Sequence, residues 1–140
     1  MSAILLADQW MPPELRLEDH LNSLGYQVTS VSEAELVNMV KMHPFDMIIW
    51  SVGSLGDSEK KIFDELRLFS DVPVLGIRMK GISEPEADDE KKWLDTVIEV
   101  PVDSEKLKEC MIYYLREAYR RSNDMRLYQY KCLKISNGSI

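Results

Sequence analysis

The fold of this chain is decided by the stretch FDMIIWSV, residues 45–52. Four consecutive large apolar residues stand between Asp46 and the turn-forming residues that follow Ser51. An apolar run this short is typical of a β-strand buried on both faces, because a buried helix needs a longer one. The stretch therefore predicts the central strand of a parallel sheet. Ser51 stands at its carboxyl end, where open α/β sheets bind ligands and place catalytic groups.

Four further apolar runs are bounded by turn or helix signals in the same way. They are predicted as strands at residues 3–7, 26–31, 72–77 and 96–100. Amphipathic segments lie between them, with apolar residues at every third or fourth position. Strands that alternate with helices over short connections predict a flavodoxin-like α/β fold, in which a five-stranded parallel sheet carries helices on both faces.

Local signals predict where some of these helices begin. Ser32 followed by Glu35 has the spacing of a capping box for the second helix. Asp103 or Ser104 is placed to cap the last helix. Residues 79–92 are rich in acids and poor in apolar residues, which predicts only a short or displaced helix there.

The composition is that of an ordinary single-domain protein. The chain has 140 residues, of which 45% are hydrophobic and 29% charged, enough for one core. With no membrane-spanning run and no signal-type segment, we expect a cytoplasmic protein with no membrane partner. Cys110 and Cys132 lack metal-ligand spacing, so they indicate a reducing compartment and no metal site. The net charge of −7 makes nucleic acid an unfavourable partner for the whole domain.

Five segments, taken together, resemble the response-regulator receiver (CheY-like) family. They are ILLAD at residues 4–8, LGYQV at 24–28, FDMII at 45–49, VPV at 72–74 and VPVD at 100–103. The resemblance spans about residues 3–120 and implies the fold of that family. In receivers, an acidic pair after the first strand holds magnesium, and an Asp at the end of the third strand accepts a phosphoryl group from a histidine kinase.

The chain departs from the family where that chemistry is carried. Only Asp8, for the first acid, and Pro101 keep the pattern. The other positions hold Gln9 for the second acid, Ser51 for the phosphoacceptor, Arg78 for the Thr/Ser, Val97 for the switch aromatic and Val100 for the lysine. One carboxylate is too few for a hard divalent cation, and serine cannot form an acyl phosphate. We therefore interpret the chain as a pseudo-receiver with no catalytic residue, metal or cofactor.

Two structural expectations follow for this degenerate site. Because Asp8 has lost its metal and its lysine, we expect Arg78 to approach it, or otherwise to fill the pocket with its guanidinium. The resemblance also implies a cis peptide bond between Val100 and Pro101, since the corresponding bond in receivers is cis.

The apolar stripe of the last helix continues past the length that a receiver sheet can cover. It follows alternating steps of four and three residues, at Leu107, Met111, Tyr114, Ala118, Arg121, Met125, Tyr128, Cys132 and Ile135. We divide the chain into a receiver-like domain, residues 1–121, and a helical extension with a tail, residues 122–140. The candidate interface consists of Leu107, Met111, Tyr114, Ala118, Met125 and Tyr128.

The charges of two segments are complementary. Residues 84–105 carry nine acids and two lysines, whereas residues 116–134 carry six basic residues and two acids. We favour an extended helix that pairs with a second copy or with a partner helix, supported by this complementarity. The alternative is a break at residues 122–124, after which the chain folds back on its own core, and nucleic-acid binding by the basic segment is a third.

Three classes of function remain open. The first is a phosphorylation-independent pseudo-receiver that acts as a protein–protein interaction module in two-component-type signalling. The second is an atypical receiver regulated by Ser phosphorylation or by a small ligand at the carboxyl ends of the strands. The third is a small flavodoxin-like ligand-binding protein or enzyme, which we disfavour because the sequence shows no set of nucleophile, base and oxyanion donors.

Overall fold

The computed structural model describes residues 2–8, 11–12, 15–51, 57–79, 94–101 and 103–138, with the backbone alone at residues 57 and 122–138. Five parallel strands form one sheet in the order β2-β1-β3-β4-β5. Their bounds are β1 Ala3–Ala7, β2 Gln27–Ser30, β3 Met47–Ser51, β4 Val74–Met79 and β5 Thr96–Val100. The predicted flavodoxin-like sheet is confirmed, with β3 at its centre and β4 two residues later than expected.

Four α-helices cover the two faces of the sheet. They are α1 Leu17–Ser23, α2 Leu36–Met42, α3 Asp57–Phe69 and α4 Ser104–Gly138, and a 3₁₀ turn at Glu33–Glu35 precedes α2. The strands contribute side chains to both faces, because successive side chains of a strand point to opposite sides of the sheet. Ile4, Met47 and Ile49 pack with α1 and α4 on one face, whereas Ile48 and Trp50 pack with α2 and α3 on the other.

The two capping predictions had different outcomes. The Oδ1 atom of Asp103 accepts a hydrogen bond from the backbone N–H of Glu105 at 3.4 Å, which confirms Asp103 as a cap of α4. The capping box of Ser32 and Glu35 is wrong: the Ser32 hydroxyl donates to the Glu35 carboxylate at 3.2 Å. The backbone N–H of Glu35 is used instead by the Ser32 carbonyl, 3.0 Å away, in the 3₁₀ turn. The helix predicted at residues 79–92 falls largely outside the described residues.

The last helix, α4, runs without a break from the sheet into the extension. Its 35 residues correspond to about 52 Å at 1.5 Å per residue. Residues 122–138 supply about 25 Å of this length. The break considered at residues 122–124 is absent, so the extended helix is confirmed. None of the described helices is long and apolar enough to cross a bilayer. The Val100–Pro101 peptide bond is cis, as the resemblance implied.

An acidic side chain, Asp95, joins β4, α3 and α4 at the amino-terminal edge of the sheet. Its carboxylate is 15% exposed and accepts from the guanidinium of Arg121 at 2.6 Å. It also accepts from the backbone N–H of Val74 at 2.8 Å, and it lies 3.5 Å from the guanidinium of Arg67. The carbonyl of Asp95 accepts from the Tyr114 hydroxyl at 3.3 Å. One aspartate therefore fixes two helices against the start of a strand.

The two arginines also hold the loop between α3 and β4. Arg121 donates to the carbonyl of Asp71 at 3.0 Å, and Arg67 donates to the carbonyl of Val72 at 2.6 Å. Partial burial opposes the charge of Arg121, but its hydrogen bond to Asp95 and the negative charge there raise the pKa of Arg121. Burial lowers the pKa of Arg67, and the charge of Asp95 opposes this effect. The Arg121 side chain interrupts the apolar stripe because it forms structural contacts within its own domain.

We expect Asp95→Ala to lower the free energy of unfolding by about 2–3 kcal/mol, because it leaves a backbone N–H and two partly buried guanidiniums without their acceptor. Urea unfolding followed by circular dichroism measures this change. Asp64→Ala is the matched control: Asp64 pairs with Lys60 at 3.6 Å in an exposed position, so its loss should cost less than about 0.5 kcal/mol. Equal effects of the two substitutions would contradict the role of Asp95.

Candidate functional site

Two of the predicted site residues lie on adjacent strands at the carboxyl-terminal edge of the sheet. Ala7 lies opposite Trp50 in the β1–β3 register, so Asp8 and Ser51 end adjacent strands at the same level. Ser51 is only 1% exposed. The carboxylate of Asp8 is partly exposed and accepts from the Ser30 hydroxyl at 3.4 Å. The phosphoacceptor position of the receiver pattern is therefore occupied by a buried hydroxyl.

A cavity of about 550 Å³ opens beside Asp8. It lies between the ends of β1 and β2 and the start of α1, and its lining residues are Asp8, Pro12, Arg16, Leu17, Glu18, Asp19 and Ser30. Within the described part of the chain, no group of three or more His, Cys, Asp or Glu side chains could hold a metal ion. The cavity is polar and of mixed charge, and no residue of β4 lines it.

The structure corrects the expectation for Arg78. Its guanidinium forms an ion pair with the carboxylate of Glu99 at 3.1 Å, and the two residues lie opposite each other in the β4–β5 register. The expected contact between Arg78 and Asp8, both described, is not formed. The reason is distance: Glu99 is on the adjacent strand, whereas β3 separates β4 from β1, which adds about 5 Å per strand.

The remaining predicted site residues do not form one pocket. Val97 lies opposite Gly76 in the middle of β5 and packs against the core on the α2 and α3 face. Val100 is fully buried in the core on the opposite face. Pro101 is exposed after the cis bond, and Gln9 lies outside the described residues. Among the described residues, the cavity beside Asp8 therefore includes none of Arg78, Val97, Val100 and Pro101.

The predicted interface stripe also needs correction in its first half. Leu107, Met111 and Ala118 are buried against their own domain, and the hydroxyl of Tyr114 is bonded to the Asp95 carbonyl. Leu107, Met111 and Ala118 therefore cannot face a partner in the folded chain, whereas Tyr114 is half-buried with its hydroxyl engaged. Met125 and Tyr128 lie in the part of α4 for which the backbone alone is described, so their assignment to an interface stays a prediction.

A second cavity, which the sequence does not predict, lies at the amino-terminal edge of the sheet. We call it the edge cavity. It has a volume of about 650 Å³ and is lined by the ends of α2 and α3, by the segments that follow them, and by Ala118 and Arg121 of α4. Two of its lining residues, Leu68 and Phe69, are 77% and 51% exposed. The one feature of the sequence that points to this cavity is the continuation of the apolar stripe through Ala118 and Arg121.

Comparisons with solved structures identify the same fold. The chemotaxis protein CheY4 of Vibrio cholerae matches with a TM-score of 0.66 and 19% identity, over 81% of this chain and 98% of that one. The receiver domain of the sensor histidine kinase PA1611 from Pseudomonas aeruginosa PAO1, with magnesium in its active-site cleft, matches with a TM-score of 0.62 and 18% identity, over 81% and 97% of the two chains. At these identities the likeness establishes the fold and nothing further.

A third match includes most of α4. A fusion that contains amino acids 181–211 of the trimeric coiled coil of yeast Spc42 matches with a TM-score of 0.72 and 17% identity, over 98% of this chain and 94% of that one. No family model and no curated protein matches the sequence.

Proposed function

We propose that this chain is a receiver-like interaction module of two-component-type signalling that works without phosphoryl transfer. The fold supports the signalling context, because the structures that share it include a chemotaxis protein and the receiver domain of a sensor kinase. The observation that carries the proposal is the buried serine, Ser51, at the end of β3. A receiver needs a carboxylate at this position to form its acyl phosphate.

The surroundings of Ser51 support the same conclusion. Its hydroxyl is shielded from solvent, so a protein kinase could not bind it without unfolding the strand end. Asp8 alone offers too few anionic oxygens for magnesium. Arg78, where receivers have a Thr or Ser, is engaged by Glu99 on the neighbouring strand. Regulation by Ser phosphorylation is therefore the less favourable alternative.

An enzymatic function has weak support among the described residues. The hydroxyl of Ser104 lies 3.1 Å from the Nε2 atom of His20, which is the spacing of a nucleophile and its base. Ser104 is exposed on the surface, however, and neither residue lines the cavity beside Asp8 or the edge cavity. The pair is better explained as a tie between α1 and the first turn of α4. We propose that the chain is not an enzyme.

We expect the chain to gain no phosphoryl group when it is incubated with acetyl phosphate and magnesium. Intact mass measurement after the reaction gives the result directly. A receiver domain with a complete acidic site, treated in parallel, should gain one phosphoryl group and so serves as the control. A stoichiometric mass increase of this chain, located at Ser51 or Asp8 by peptide mapping, would refute the proposal.

We further propose that α4 is the interaction element, and that residues 122–138 pair with the same segment of a second copy. The helix continues for about 25 Å beyond Arg121, and the apolar spacing continues with it at Met125, Tyr128, Cys132 and Ile135. Apolar positions with no surface of their own domain to cover usually mark an interface. The complementary charges are used partly within one chain, as the Asp95–Arg121 ion pair demonstrates.

Analytical ultracentrifugation is expected to give a dimer for the full chain and a monomer for a chain that ends at Arg121. The shorter chain keeps Arg121 and hence its bonds to Asp95 and Asp71, so its fold should persist, which circular dichroism verifies. A full chain that stays monomeric at high micromolar concentration would exclude self-pairing. A trimer would instead match the oligomeric state of the coiled coil in the fusion structure.

A further inference from the structure

The apolar stripe of α4 contacts two different parts of the domain along its length. At Leu107 and Met111 it packs against the sheet, and Ala118 is buried as well. At Ala118 and Arg121 it forms a wall of the edge cavity. Because the alternating steps of four and three continue, the positions from Met125 onward stay near the same side of the helix, with a drift of about 20° per heptad. A helix that packs along those positions therefore lies directly beneath the amino-terminal edge of the sheet.

This placement determines the direction of a second helix. In a parallel pair, the second copy would bring its own residues 104–121 upward along the stripe, into the space that the first copy's sheet occupies. In an antiparallel pair, the second helix arrives from below and ends at the sheet edge, while its domain lies beyond the far end of the first helix. The antiparallel direction lets both copies keep Leu107, Met111 and Ala118 buried.

The spacing of the stripe also gives the register. The steps from Met125 to Tyr128, Cys132 and Ile135 are three, four and three residues, which read the same in both directions. An antiparallel pair can therefore match Met125 with Ile135, and Tyr128 with Cys132. Each match occurs twice across the two-fold axis, which gives four contacts. At that register Gly138 of each helix lies level with Ser122 of the other, one turn from the edge cavity.

We propose that two copies form an antiparallel dimer along Met125, Tyr128, Cys132 and Ile135, and that each helix end docks at the edge cavity of the other copy. The inference rests on the helix pairing proposed above. The carboxyl end of a helix carries partial negative charge and free carbonyl groups. The cavity presents the exposed apolar side chains of Leu68 and Phe69. Its lining also includes Asp71, together with Arg67 and Arg121, whose guanidiniums are already bonded within the domain.

Disulfide trapping tests the direction and the register. Two chains are prepared in which both native cysteines are replaced by serine, one with Met125→Cys and the other with Ile135→Cys. Mild oxidation of their mixture should yield a covalent dimer that contains one of each, identified by intact mass, whereas each chain alone should stay unlinked. A covalent dimer from either chain alone would indicate parallel pairing and overturn this inference while leaving self-pairing intact.

Sedimentation of the full chain, combined with this trapping, separates the two proposals. A full chain that sediments as a monomer would contradict both self-pairing and the antiparallel register. A chain that sediments as a dimer but gives no mixed disulfide fails the antiparallel register alone.

Docking at the cavity is tested by a charge on its rim. Leu68→Asp, at an exposed position that should tolerate it, is expected to raise the dimer dissociation constant at least about tenfold. The matched control is Tyr113→Asp, since Tyr113 is 64% exposed on α4 and does not line the cavity. A Leu68→Asp chain that dimerises as tightly as the unchanged protein would overturn the docking.

Discussion

The carboxylate of Asp95 is the contact on which the amino-terminal edge of this molecule depends. It receives a strand N–H, the guanidinium of Arg121 from α4 and, at longer range, that of Arg67 from α3. A partly buried acid with several charge-assisted donors is costly to separate from any of them. The point at which α4 leaves the sheet is fixed by this contact, and so is the path of the extension. Arg121, held by this contact, forms part of the wall of the edge cavity.

Most of the fold could be predicted because the central strands β1, β3 and β4 are largely buried on both faces. Such strands appear in a sequence as continuous apolar runs. The predicted bounds of β1, and also those of the more exposed β5, agree with the structure at both ends. The start of β4 was misplaced because Val72 is as apolar as the strand, although its carbonyl is bonded to Arg67. The continuous α4 was favoured from spacing alone, against polar residues at 122–124 that suggested a break. The capping box failed because a backbone turn took its donor.

The candidate site was less predictable, because its contacts depend on which strands are neighbours and in what register. Arg78 was assigned to Asp8 from the receiver pattern, yet the residue opposite it is Glu99. Likewise, Arg121 was read as an interruption of an apolar stripe, since its acceptors on Asp95 and Asp71 are 26 and 50 residues away in the chain. The sequence does show which chemical groups a site lacks. It does not show which new partners the long side chains bind when those groups are absent.

The continuity of α4 has a mechanical consequence. A helix with no hinge between its sheet-bound half and its extension behaves as a stiff rod, whose inner half is clamped by the core and by Arg121. A tilt of about 5° at the clamp would displace the far end of the extension by about 2 Å, given its length of about 25 Å. Any event that shifts the packing between α4 and the sheet is therefore transmitted, amplified by leverage, to whatever lies at the tip.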